Sequence, residues 1–214
     1  MKLLVYHFLP IILSVFVYPI SSQGQTVTIG TQVWMSKNLD VSNFRNGDPI
    51  PQAKTDEEWK KAGDNKQPAW CYCGNDPSKG ARYGKLYNWY AVNDTRGLAP
   101  IGWHIPTDAE WTILTDYLGD SAGDKMKSKE GWEVEGYEGG SGNGNNSSGF
   151  SGLPGGKGKN SEGCGMIGLE AGWWSASEYS NTEAWYRDLW YDDNKLGRDY
   201  DYKQNGFSVR CLKD

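Results

Sequence analysis

Histidine is almost missing from this chain. Of 214 residues, only His7 and His104 are histidine. His7 sits in an N-terminal apolar run, so a Ser-His-Asp or Cys-His arrangement would have to use His104. A zinc site with two or more histidines is excluded in a monomer. Aliphatic bulk is scarce too, and the mean hydropathy is −0.70. No apolar run after residue 20 is long enough to cross a bilayer. Positive charge is in deficit: 22 Lys and Arg face 27 Asp and Glu, for a net charge of −5. That balance argues against nucleic acid and anionic membranes as partners.

What is abundant points outward. Residues 3–20 are largely apolar, with Lys2 before them and Ser21-Ser22-Gln23-Gly24 after. The pattern predicts a signal peptide over residues 1–24, followed by one domain over residues 25–214. Retention as an anchor is the alternative. No cysteine follows the apolar run directly, which argues against a lipoprotein anchor. Without residues 1–24, whose only charge is Lys2, 21 basic residues face 27 acidic ones and the net charge is −6. The four cysteines, Cys71, Cys73, Cys164 and Cys211, all lie in the exported part, where disulfides are permitted.

Eleven Trp and 13 Tyr indicate a core built from amphipathic rings. The clearest local signal is Gly102-Trp103-His104-Ile105-Pro106-Thr107-Asp108-Ala109-Glu110-Trp111. Thr107 and Glu110 stand three apart, as a capping box requires. Asp108 adds negative charge to the first turn. Trp111, Leu114 and Leu118 recur at helical spacing, and Gly119 offers a stop. Thr55-Asp56-Glu57-Glu58-Trp59 repeats this chemistry and predicts a short helix from Asp56 to about Ala62. Tyr83, Leu86, Tyr87 and Tyr90 also fall at helical spacing, predicting a first principal helix over residues 83–92. Val27 to Met35 reads as a hairpin turning at Gly30-Thr31. Residues 121–129 read as one more short turn.

Gly136 to Gly165 is a long Gly/Asn/Ser-rich tract, longer than ordinary connections. The C-terminal quarter reads as strands: residues 173–177, 184–191, 195–200 and 206–212. The tract and the turn at Asp192-Asp193-Asn194 are expected away from the principal helices.

The Gly102–Trp111 stretch resembles the signature of the Fibrobacter succinogenes major paralogous domain. It is also similar to a segment of the formylglycine-generating enzyme family. Further matching stretches are residues 83–89, 149–154, 173–179 and 206–211, so the resemblance spans roughly Val27 to Cys211. It implies an α+β, C-type lectin-like fold: two main helices packed on a small twisted antiparallel sheet, with a long irregular loop region. Members similar to this chain carry cysteines at the Cys71 and Cys211 positions. That implies a Cys71–Cys211 disulfide, with Cys73–Cys164 as the second pairing. The formylglycine-generating enzymes oxidise a cysteine at copper held by a cysteine pair, but no motif carries that pair onto this chain.

Asp188, Asp192, Asp193, Asn194, Asp199 and Asp201 gather across a predicted hairpin. Such oxygen-rich groups can bind calcium. The Glu-Pro-Asn and Gln-Pro-Asp motifs of calcium-dependent lectins are absent, so a solvated acidic face is preferred, with calcium the secondary reading and no protein metal site expected. Loops on a rigid sheet are where binding concentrates. A neutral or cationic ligand is therefore expected at Asp188, Trp190, Tyr191, Asp192, Asp193, Arg198 and Tyr200. The reading is an exported, non-catalytic binding module, secreted, periplasmic or at the cell surface, for glycan or a surface protein. The alternatives are an enzyme related to the formylglycine-generating oxidases, or a structural component of the cell envelope.

Overall fold

The capping box at Thr107 forms as its spacing predicts. The Glu110 N–H donates to Thr107 Oγ1 at 3.3 Å, and the Thr107 N–H donates to Glu110 Oε2 at 2.8 Å. The helix that follows buries Trp111, Leu114 and Leu118 and ends at Gly119.

The computed structural model describes residues 26–132, 142–160 and 163–214. The expected signal segment lies outside them. The helices are α1 (Asp56–Asp64), α2 (Pro77–Tyr83), α3 (Trp89–Val92), α4 (Asp108–Leu118) and α5 (Ala122–Met126). The first strands are β1 (Thr26–Ile29), β2 (Gln32–Met35), β3 (Trp70–Cys71), β4 (Leu86–Asn88) and β5 (Trp103–His104). The later ones are β6 (Lys157–Asn160), β7 (Gly163–Gly165), β8 (Glu170–Glu178), β9 (Glu183–Trp190), β10 (Gly197–Tyr202), β11 (Gly206–Phe207) and β12 (Leu212–Lys213). They form antiparallel sheets in the orders β1-β2-β12-β5, β10-β9-β8 and β3-β4-β11-β6-β7. The architecture is mixed, with short helices among several antiparallel sheets, rather than two main helices beside one small sheet.

Two expectations fail for identifiable reasons. Residues 83–92 do not form one helix. Gly84 has φ +78 and lies against the Leu39 carbonyl, which ends α2. Leu86, Tyr87 and Asn88 are then all buried in β4, between β3 and β11. The Tyr87 hydroxyl donates to the Val41 carbonyl and accepts from the Val41 N–H, both at 2.8 Å. Helical spacing here is outweighed by tertiary burial. The expected strand over 206–212 divides into β11 and β12, which belong to different sheets. In between, Val209 and Cys211 carbonyls accept from Leu39 and Met35 N–H groups.

The core is aromatic, as the composition implies. Trp173 and Trp174 are adjacent in β8 and both fully buried. Successive strand residues point to opposite faces, so the two rings serve different clusters. Trp173 packs with Trp34, Trp111 and Phe150, while Trp174 packs with Trp89, Tyr186 and Phe207. The sheet β8–β9–β10 therefore stands between two hydrophobic bodies. A smaller third cluster joins Trp59, Cys71, Cys73 and Leu86.

The turn at Asp192–Asn194 packs against the short helix α5. Gly123 of α5 leaves no room for a side chain against Asn194, and its N–H donates to the Asn194 carbonyl at 2.8 Å. Lys127, buried just after α5, donates to the carbonyls of Trp190, Tyr191 and Asp193. Tract residues 144–148 bond to Ser128, Asp124 and Lys125 in the same region. Part of the tract, residues 136–141 and 161–162, lies outside the described residues.

Candidate functional site

The first residue of α4 anchors the strands. Asp108 Oδ1 accepts from Arg187 Nη1 at 2.7 Å and Arg198 Nε at 3.0 Å, and Asp108 Oδ2 accepts from Arg198 Nη2 at 2.8 Å. Arg187 is buried, and its Nη2 also donates to the Asp108 carbonyl and the Thr112 hydroxyl. Burial opposes the Asp108 charge, but hydrogen bonds from Arg198 and Arg187 prevail and hold its carboxyl below the usual range. Burial pushes the Arg187 guanidinium down.

This clamp orients an aromatic face. Arg198 pairs with Arg187 in the β9–β10 register, and Tyr200 pairs with Trp185. Arg198, Tyr200, Trp185 and Arg187 therefore share one side of the sheet. The Arg198 guanidinium lies 3.5 Å from the Trp185 ring centroid, a cation–π distance. Tyr179 stacks on Tyr200 with centroids 3.8 Å apart and planes inclined by 9°. Trp185 meets Tyr179 edge-on at 4.9 Å. Tyr179 is 46% exposed and Tyr200 41%. Three rings and a guanidinium thus form a partly exposed platform whose cation is fixed by Asp108.

The sequence-predicted residues divide three ways. Arg198 and Tyr200 belong to the platform. Asp188 and Trp190 point to the opposite side of β9, where the indole Nε1 donates to Asp188 Oδ2 at 2.7 Å and Gly197 lies against the same carboxylate. Tyr191, Asp192 and Asp193 stand in the turn held by Lys127, where Asp193 Oδ1 accepts the Lys195 N–H. Asp199 and Asp201 accept from the following backbone N–H groups. Tyr179 and Trp185 were outside the predicted set. Period-two alternation across β9 and β10 is the signal that would have included Trp185. Among the described residues no group of three or more His, Cys, Asp or Glu converges on a metal position.

Of the two expected disulfides, the second is present. Cys73 is bonded to Cys164, with Cα atoms 5.3 Å apart. Cys71 and Cys211 are buried thiols outside that bond. The physical reason is their placement. Cys71 faces the small cluster with Trp59 and Leu86, while Cys211 faces the large one with Met35 and Trp103. Burial pushes the Cys211 thiol up to about 12. A thiol so far from ionisation is a poor nucleophile.

His104 ends β5 between two carboxylates: Nδ1 is 2.8 Å from Asp214 Oδ1 and Nε2 is 2.9 Å from Glu110 Oε1. Burial disfavours its charge, but the bonds to Asp214 and Glu110 outweigh that and raise its pKa above 6.5. A raised value means the imidazolium is favoured in the folded state. The stability it contributes is complete below the unfolded value and is lost as pH rises through the folded one. Urea melts of the wild type and His104→Asn are therefore expected to differ most on the acid side and to converge above the folded value. A constant difference across that range would exclude the bridge.

The model of the Fibrobacter succinogenes major domain matches residues 27–213. No curated protein matches the chain, and no solved structure does.

Proposed function

The chain belongs to the Fibrobacter succinogenes major domain family, and we propose that it is an exported, non-catalytic binding module that takes glycan on the Tyr179–Trp185–Tyr200 platform. The observation that carries the reading is the exposed, parallel Tyr179–Tyr200 stack beside Trp185 and the Arg198 guanidinium that lies over it. Exposed rings offer apolar area to sugar faces, and their hydroxyls bond to sugar hydroxyls. Glu183, on the same side of β9 as Trp185, adds an acceptor beside the rings. We assign the domain to the C-type lectin-like architecture, a reading supported by its mixture of short helices and antiparallel sheets.

Export is supported by the Cys73–Cys164 disulfide, since such bonds persist in oxidising compartments. Among the described residues no helix is long and apolar enough to cross a membrane. The oxidase alternative needs two cysteines together in an accessible cleft. Cys71 and Cys211 instead lie fully buried in different clusters. Both nitrogens of His104 are engaged by carboxylates, which leaves neither to activate a nucleophile.

The test is a glycan array probed with the exported chain, with and without calcium, followed by titration of the retained glycan. Tyr200→Ala and Tyr179→Ala are each expected to weaken binding about tenfold, at the scale of one lost aromatic contact. Melting temperature should stay near wild type, because both rings are exposed. Retention unaffected by either substitution overturns the platform. An array with no retained glycan overturns the ligand class and favours a protein partner.

A further inference from the structure

A second recess lies away from the platform. It is a cleft of about 930 Å³ between the β1–β2 hairpin, α2 and the segment after α5. That volume is in the range of small-molecule sites. Arg210 forms part of its wall and is only 1% exposed.

The partners of Arg210 are all neutral. Nε and Nη2 donate to Asn38 Oδ1 at 3.0 and 2.7 Å. Nη1 donates to the carbonyls of Met35 and Phe150 at 3.1 and 2.6 Å. Among the described residues no carboxylate pairs with it. Its plane lies over Phe150 at 4.3 Å, which adds packing but no countercharge. Buried charges are ordinarily paired, because the desolvation cost is otherwise several kcal/mol, on the order of that for an isolated buried ion. Burial accordingly pushes Arg210 down to about 9.

The rim carries the same sign. Lys37, Arg82 and Lys129 line the cleft and are exposed, and among the described residues none of them forms an ion pair. The opposing carboxylates are Glu130 and Asp40, and Asp40 is already held by Lys85 at 2.5 Å. A protein of net charge −5 thus concentrates cations around this recess. The remaining wall is rich in hydroxyl and amide groups, among them Ser36, Asn146 and Ser151. Such a wall suits a hydroxylated ligand.

We propose that this cleft binds an acidic saccharide, a sugar bearing a carboxylate, which is drawn by Lys37, Arg82 and Lys129 and supplies the countercharge that Arg210 lacks. Its hydroxyls meet the hydroxyl and amide groups of the wall. The site is independent of the aromatic platform: it recognises charge, and the platform recognises apolar ring faces.

Calorimetry on the exported chain tests it with trigalacturonate and the fully methyl-esterified trisaccharide. The acid is expected to bind at least tenfold more tightly than the ester, and to weaken as salt rises. Arg82→Gln and Lys129→Gln should each weaken it several-fold without changing the melting temperature, since both side chains are exposed. Tyr200→Ala should leave it unchanged, which separates this site from the platform. Arg210→Lys is informative only where the variant melts like wild type; the two rim variants decide the matter without it. Equal affinity for acid and ester, no binding of either, or indifference to both rim substitutions overturns the proposal. A tripeptide carboxylate that binds as tightly as trigalacturonate overturns the saccharide assignment.

Discussion

Replacing Cys73 and Cys164 together with serine is expected to destabilise the domain by roughly 4–5 kcal/mol, the loop-closure cost for a bond across this much chain. The bond spans 91 residues. Within that span lie α2, β4, α3, β5, α4, α5 and β6. Opening it frees the unfolded chain to explore far more conformations. The native state also loses a clasp, because Cys73 is buried in the small cluster with Ala53, Trp59 and Leu86, and Cys164 packs against its edge. Urea melts of the double variant measure the cost. Non-reducing peptide mapping checks the connectivity. It should recover Cys73 linked to Cys164, with Cys71 and Cys211 alkylated only after denaturation, since both are fully buried. Cys73 linked to a cysteine other than Cys164 would refute the pairing, and a loss under about 1 kcal/mol would refute the loop-closure account.

The pairing illustrates which features a sequence exposes. Cys71 and Cys73 are two residues apart, and both are buried. What separates them is the 3-10 turn over Cys73–Asn75, with Gly74 at φ +65, which carries Cys73 toward β7. That turn has no strong local signature, so the Cys73–Cys164 bond came second among the expected pairings although it is the one present. The α4 capping box lies at the other extreme. Thr107 and Glu110 are three residues apart and satisfy each other, so spacing alone is enough. Residues 83–92 are the intermediate case. Their apolar spacing is helical, yet Asn88 spends its side chain on the Ala69 N–H and the Gln67 carbonyl. Contacts about 20 residues away decided that segment.

The candidate site divides in the same manner. Arg198 and Tyr200 could be selected because they lie in a strand near a turn. Their surroundings were hidden, since the partner of Arg198 is Asp108, 90 residues earlier. The acidic hairpin drew attention by composition, but its carboxylates are largely engaged in local bonds to backbone and Trp190. Charge density in sequence was a weaker guide than period-two alternation, which places Tyr200 beside Trp185.

Asp108→Asn is expected to cost about 3–5 kcal/mol, as breaking one half of a buried ion pair does. The substitution keeps size and leaves the Thr107 cap intact. It removes the carboxylate that answers two guanidiniums at once, and one of them, Arg187, has no exposure to fall back on. The penalty is therefore mostly the cost of leaving Arg187 buried without countercharge. A second substitution identifies that cause. Asp108→Asn combined with Arg187→Met should recover much of the loss, because an apolar side chain of similar length removes the stranded charge. Arg198→Gln in the Asp108→Asn background should recover little, since Arg198 is exposed and can turn to water. The pH dependence has a fixed sign. The folded carboxyl of Asp108 titrates below its ordinary value of 3.8. Its contribution is therefore present above that value and disappears as pH falls through the folded one. Wild type and Asp108→Asn should converge in stability under strong acid and separate above it. Convergence at neutral pH, or no recovery in the Arg187→Met background, would mean that Asp108 matters to α4 alone and does not tie the helix to the platform strands.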